Sequence, residues 1–174
     1  MATLFFLRVS WRSLQNPGTH GFYRFFVFEG ILLLVLLNQP HWFVDPFSTQ
    51  HTLSWCLLLI SVSFISQSLW MLKKLGGHSE RKDMPENHAF ENTVNVVKEG
   101  VYRYVRHPMY SSLLFLAWGA FLKRISLVTL SLVIGISIFL FVAALVEENE
   151  NVRFFGDSYR EYMKQSKLFI PWLL

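Results

Sequence analysis

The chain has 174 residues and a formal net charge of +4, with 52% of its residues hydrophobic and only 16% charged. Soluble domains carry about 25% charge, and here the charges gather between apolar runs instead of mixing with them every three or four positions. That segregation excludes an ordinary soluble core, and the length fits one domain, taken as 1–174, not two.

Four apolar runs follow in chain order. The first covers residues 22–37 and is interrupted by Arg24 and Glu29. It lacks a small-residue cleavage site, and the two charges speak against a secretory signal, so it reads as a span. Arg24 and Glu29 are read either as an ion pair or snorkelling charge, or as the lining of a polar cavity. The second run, 53–72, carries no charge and holds Cys56, which reads as packing; a lone cysteine leaves no intramolecular disulfide. The third, 111–122, is short. Pro108 suits its first turn, giving about 15 residues or roughly 22 Å, so it crosses a thinned bilayer or sits partly inside protein. The fourth, 126–146, is again free of charge. A span needs about 20 apolar residues. The expected fold is therefore all-α: a multi-pass integral membrane protein of about four transmembrane helices.

Arg8 and Arg12 precede the first run, 73–106 and the tail are rich in Lys and Arg, and 38–52 has neither. The positive-inside rule then places both termini and the 73–106 segment in the cytoplasm. Lys123 and Arg124, in the tight hairpin between runs three and four, break the pattern. The net charge is this topological bias plus attraction to anionic headgroups; the partners expected are the bilayer and a lipophilic small molecule, with no nucleic acid. The histidines form no ligand pair at helical spacing, so no metal site is expected. There is no phosphate-cradling glycine loop and no Gly-x-Ser-x-Gly elbow.

Two polar segments, 87–110 and 147–174, are delivered to one membrane face by this topology. In the first, Val94, Val96 and Val97 suit a short extended stretch, Gly100 permits a turn, and Tyr102, Arg106, His107 and Tyr110 crowd the start of the third run. Unpaired N–H groups at that helix start attract a carboxylate. Taken singly, Arg106 could grip lipid phosphate and the tyrosines could belong to an interfacial belt. In the second, Glu147 and Glu148 sit where a helix C-terminus disfavours carboxylates, so they answer either a cationic ligand or a salt bridge to Arg103 or Arg106. Phe154, Phe155, Tyr159, Tyr162 and Met163 form an apolar stripe, Asp157 suits a helix cap after Gly156, and Pro171 and Trp172 suit the interface. The tail reads as an amphipathic helix folded back over the site.

These residues carry a resemblance. The stretch 94–110 resembles the Leu-Val-x-x-Gly-x-Tyr-x-x-x-Arg-His-Pro-x-Tyr signature of the isoprenylcysteine carboxyl methyltransferase family, and 147–171 resembles its Glu-Glu-x-x-x-x-x-x-Phe-Gly-x-x-Tyr-x-x-Tyr signature and following proline. Phospholipid N-methyltransferases and methyltransferases of small thiols are similar in the same regions. The resemblance implies an S-adenosylmethionine-dependent membrane methyltransferase whose cofactor lies at the cytosolic face under the C-terminal segment. Carried over, cofactor binding falls on Val94, Asn95, Val96 and Val97, on Tyr102, on His107, Pro108, Met109 and Tyr110, and on Glu147 with Glu148; Asn87 aligns with a further polar contact. Arg106 and His107 are the candidates for positioning the reactants. Three departures stand out. Ser112 replaces a common glycine, Asn151 a usual leucine, and Ala143 the arginine that serves the substrate carboxylate in the isoprenylcysteine enzymes. Competing readings are an NADPH-dependent reductase on a related scaffold, and a non-enzymatic membrane organiser that kept the fold.

Overall fold

The computed structural model describes residues 2–77 and 93–171. Asn87, the basic residues of 78–92 and Trp172 lie outside them. In chain order the described helices are α1 Ala2–Leu14, α2 His20–Asn38, α3 Thr49–Leu75, α4 Pro108–Phe121, α5 Leu127–Phe155 and α6 Asp157–Gln165, with single 3-10 turns at Gln39–His41 and Gly100–Arg103. Among the described residues three helical segments are long and apolar enough to cross a bilayer: His20–His41, Thr49–Leu75 and Leu127–Phe155. α4 starts at Pro108 as expected and has 14 residues, about 21 Å, so it falls short of a full span.

α4 stops early because its end is inside protein. The last carbonyls of a helix have no partner of their own, and those of α4 are met by side chains from its neighbours. Asn38 Nδ2 donates to Ala120 O at 2.8 Å, Ser54 Oγ to Gly119 O at 2.7 Å and Gln50 Nε2 to Leu122 O at 2.6 Å. His51 Nε2 lies 3.2 Å from Lys123 O. Lys123 complements the negative end of α4. It is 2% exposed, with Nζ 3.5 Å from the Trp55 ring centroid. The cation that broke the topological pattern is therefore a buried cation–π partner, not a surface charge. Asn38→Leu removes a buried hydrogen bond from an Ala120 carbonyl that keeps the Lys123 N–H, so a loss of about 0.5–1.5 kcal/mol is expected, read as a lower melting temperature in detergent.

Small residues bring the helices together, as they do where lipid replaces water. On α3 the buried positions include Ser54, Ser61 and Ser68, and Ser61 Oγ donates to Ser112 O at 2.7 Å. Ser112, the glycine departure, is buried at this crossing. Gly119 packs on Leu58 and the Ser54 carbonyl, and Gly30 of α2 on Ile136 of α5. The core joins Val27, Ile31 and Leu34 of α2 to Val133, Ile136 and Leu140 of α5 and to Ala117 and Ala120 of α4. Ala143 and Ala144 are fully buried there. Cys56 differs from expectation: it lies exposed on the outer face of α3, opposite the serine stripe.

α1 is the helix that hydropathy alone did not separate from its flank. It runs antiparallel to α2, with Phe6 stacked on Phe28 at 5.4 Å and Thr3 Oγ1 donating to Glu29 Oε2 at 3.1 Å. Arg24 and Glu29 are five positions apart, roughly 140° around a helix. Glu29 accordingly faces α1, while Arg24 joins the buried stripe His20, Val27, Ile31 and Leu34.

Candidate active site

The chain enters the site through Gly100, at φ +57 and backed by Met71, whose Cε would lie 2.0 Å from any Cβ. A side chain there would meet both backbone strain and a clash. The turn Gly100–Arg103 buries Tyr102. Residues 104–107 then pair in parallel with 167–168: Lys167 N donates to Tyr104 O at 2.9 Å, Arg106 N to Lys167 O at 2.7 Å and His107 N to Leu168 O at 3.2 Å. Ser111 Oγ adds a bond to Phe169 O at 2.6 Å, and the Tyr162 hydroxyl donates to Tyr102 O at 2.5 Å. The two polar segments are thus stitched to each other.

Arg106 tightens the same seam. Its Nε donates to Glu148 Oε1 at 2.5 Å, and its Nη1 donates to Met163 O at 3.1 Å and to Ser166 O. Of the two partners offered by sequence for the glutamate pair, Arg106 is the one that meets Glu148. His107 precedes Pro108 at the start of α4, with its ring stacked on Tyr110 at 5.5 Å and 9°. Its Nδ1 lies 3.9 Å from Glu147 Oε1 and its Nε2 3.6 Å from Glu148 Oε1. Nε2 is buried with no hydrogen-bond partner among the described residues.

α5 continues past its apolar run and carries Glu147, Glu148 and Glu150 in its last turns. Three carboxylates there oppose the macrodipole, and each faces basic side chains. Glu148 has Arg106 and His107. Glu150 caps α2 with both oxygens: His20 Nδ1 lies 2.6 Å from Oε2, and the His20 N–H donates to Oε1 at 3.2 Å. Glu147 stands in the field of His20, His107 and Arg24.

A cavity of about 470 Å³ opens between these groups, within the range of about 300–1,000 Å³ that holds small molecules and cofactors. From the first polar segment it is lined by Asn95, Val96, Val97, Tyr102 and Arg106. The start of α4 contributes His107, Pro108, Met109 and Tyr110, and α5 contributes Glu147 and Asn151. Val94, 40% exposed and beside Gly77, stands outside, and Glu148 is turned to Arg106. The expected extended stretch 94–97 is irregular coil, and Asp157 opens the first turn of α6 with no capping bond, the bend being made by Gly156 at φ +60.

Sequence reasoning offered Arg24 of α2 as the lining of a polar cavity and Tyr159 and Tyr162 as part of a folded-back tail, and all three line this one; it missed Phe5, Phe6 and Val9 of α1 and Phe28 of α2. The one available signal pointing to them was Arg24, a charge inside an apolar run. Asn151, where leucine is usual, faces the Tyr159 hydroxyl. Burial, reinforced by the Glu147 charge, holds the Tyr102 and Tyr159 hydroxyls far above the usual tyrosine range, and burial does the same for Tyr162. All three remain neutral donors at physiological pH. Because the folded state keeps these protons where the unfolded chain loses them, stability is full below about pH 10 and falls as pH rises above it. An ultraviolet titration in detergent should show these phenols ionising only with unfolding.

The model of the phospholipid methyltransferase family matches residues 49–158, well over half of the chain. The chain belongs to that family. Methanethiol S-methyltransferase 1 of Bradyrhizobium diazoefficiens is 32% identical over 72 residues, 41% of this chain and 25% of that protein. The methanethiol S-methyltransferase of Pseudomonas deceptionensis is 26% identical over 126 residues, 72% of this chain and 45% of its own length. That of Crocosphaera subtropica is 24% identical over 175 aligned positions, 93% of this chain and 64% of that protein. The chain thus spans less than two thirds of the length of these curated relatives. No solved structure gives a significant match. The family match covers α3, α4, α5 and the 94–107 segment; the α1–α2 hairpin lies outside it.

Proposed function

We propose that this protein is an S-adenosylmethionine-dependent methyltransferase acting in the membrane on a lipidic or amphipathic acceptor, a carboxylate, thiol or amine. The observation that carries this is one cavity lined by both signature segments, with Glu147 and His107 among its polar walls and Phe5, Phe6 and Phe28 among its apolar ones.

The residues fit the cofactor. His107, whose Nε2 makes no hydrogen bond among the described residues, and the start of α4 suit its carboxylate. Glu147 suits the ammonium or the ribose hydroxyls, and Tyr102 with Val96 and Val97 suits the flat adenine. The cofactor supplies an electrophilic methyl on a sulfonium. What the chain contributes is placement and exclusion of water: α6 and 166–170 cover the site, and Arg106 holds that cover to α5 by its bonds to Glu148 and the Met163 and Ser166 carbonyls. Holding two reactants in line supplies several kcal/mol of a transfer barrier, about 7–11 at best. The relatives' names put a small thiol among the first acceptors to assay. The basic residues around 73–106 favour a cytosolic position for this end of the bundle.

Calorimetric titration of the purified protein in detergent with S-adenosylhomocysteine should give saturable binding. Glu147→Ala should weaken it by about tenfold or more, the worth of one charge-assisted bond. Absence of binding at millimolar ligand, or binding untouched by Glu147→Ala combined with His107→Ala, overturns the proposal.

A further inference from the structure

Glu147, Asn151 and Phe155 follow one another at four-residue spacing on α5, which puts them on one face, and all three line the cavity. From the first to the last is about 12 Å, and along that distance the wall changes from charged to neutral. Beside Glu147 lie His107 and the start of α4. Beside Phe155 lie the rings of α6: Tyr159 is 6.2 Å from Phe155 at 21°, and 5.7 Å from Tyr162. Tyr102 joins them from the first polar segment, its carbonyl accepting from the Tyr162 hydroxyl. S-adenosylmethionine changes in the same way along its length, charged at the amino-acid end and flat and neutral at the base. With its ammonium at Glu147, its base would lie among these rings.

The hydroxyls at this end are committed. Tyr162 donates to Tyr102 O at 2.5 Å, Tyr102 meets Ser68, and Tyr159 meets Asn151. Asn95, another amide of the cavity wall, is exposed and donates from Nδ2 to Leu75 O at 3.5 Å. Among the described residues the Asn151 amide has Tyr159 as its one hydrogen-bond partner. A side-chain amide carries two N–H donors and an oxygen acceptor, so a donor and an acceptor remain after that contact. Adenine presents the complementary pair, an amino group beside a ring-nitrogen acceptor, which asparagine meets with two bonds at once.

We infer that Asn151 reads the base of the cofactor: its Oδ1 accepts from the adenine amino group, its Nδ2 donates to the neighbouring ring nitrogen, and Tyr159 fixes the amide for both. The inference rests on the methyltransferase reading and adds to it a determinant of base specificity. The position is one of the three departures from the resembled signature, where leucine is usual. A leucine there has no hydrogen bond to give and could only bury the base. Asparagine distinguishes it from other flat rings of the same size.

Two ligands test this in calorimetry on the full chain in detergent: S-adenosylhomocysteine, and its analogue in which hydrogen replaces the adenine amino group. The analogue keeps the ring, the ribose and the amino-acid end, and leaves the Asn151 oxygen without its donor. The wild type should prefer S-adenosylhomocysteine by about tenfold, the worth of one buried hydrogen bond whose partner is left unpaired. Asn151→Leu should lose more affinity for S-adenosylhomocysteine than for the analogue, bringing the preference to within about twofold. Leucine is close to asparagine in size, so the variant should pack. Asn151→Gln keeps an amide and should restore part of the preference, which a merely structural role would not do. Tyr159→Phe keeps the ring, frees the amide and should narrow the preference, so the inference stays testable should Asn151→Leu not fold. Equal binding of both ligands by the wild type overturns the inference and leaves the methyltransferase reading standing. So does an equal loss of both ligands in Asn151→Leu, or a preference untouched by Asn151→Leu or by Tyr159→Phe. Failure of the wild type to bind either ligand at millimolar concentration overturns the methyltransferase reading, and the inference falls with it.

Discussion

Arg106→Ala is expected to lower stability by about 3–5 kcal/mol, the cost of removing one partner from a buried ion pair, and to reduce S-adenosylhomocysteine binding with it. The side chains of Arg106 and Glu148 are 11% and 9% exposed. Truncation strands the carboxylate and also frees the Met163 and Ser166 carbonyls, loosening 163–170 from α5. Arg106→Lys should rescue little, because one ammonium cannot replace a planar fork serving a carboxylate and two carbonyls at once. Thermal unfolding in detergent reads the first effect. Limited proteolysis reads the second, with cleavage after Lys164 or Lys167 appearing in the variant before any cut within α5. A variant as stable and as resistant as wild type would show that the seam is held by its backbone pairing alone.

Ala143→Arg is expected to be worse still. The position is 0% exposed, packed in the core between α2 and α5. Overfilling a tight core costs about 1–3 kcal/mol, and a guanidinium in a hydrocarbon-level site adds about 2.5–3.5 kcal/mol. The sum, about 3.5–6.5 kcal/mol, rivals the whole stability of many domains, so the variant should fail to accumulate as a monodisperse species on size exclusion. Ala143→Ser should be tolerated. The reason lies across the interface. The antiparallel register through Gly30 with Ile136, Phe26 with Phe139 and His20 with Glu150 brings Arg24 of α2 toward the level of Ala143 and Glu147. A second guanidinium there would have nowhere to go.

The spans and the signature half of the site were legible because their information is local. Apolar runs mark α2, α3 and α5 directly, and Pro108 marks the start of α4. The cluster from Tyr102 to Tyr110 is built from neighbours in sequence, and Tyr102 with the run Arg106 to Tyr110 lines the cavity. What stayed hidden is non-local. His20 meets Glu150 across 130 positions, and Asn38 reaches Ala120 across 82. No periodicity records such pairings. Arg24 and Glu29 invited pairing by proximity along the chain, but helical phase sends them to different neighbours. Lys123 read as a topological anomaly because a charge count cannot see that Trp42 and Trp55 enclose it. α1 was lost because two arginines and three serines or threonines dilute its hydropathy, although its apolar face walls the cavity.

The pairing of 104–107 with 167–168 carries a consequence for biosynthesis. The first strand of that seam leaves the ribosome before α4 and α5, and the second only after both have entered the membrane. The two halves of the site therefore wait for each other across an entire helical hairpin. A chain in which one helix of the α4–α5 hairpin entered the membrane and the other did not would present 104–107 and 167–168 on opposite sides of the bilayer and could close no site at all. Ligand occupancy in a newly made protein would in that sense certify that both helices of this hairpin had gone in together.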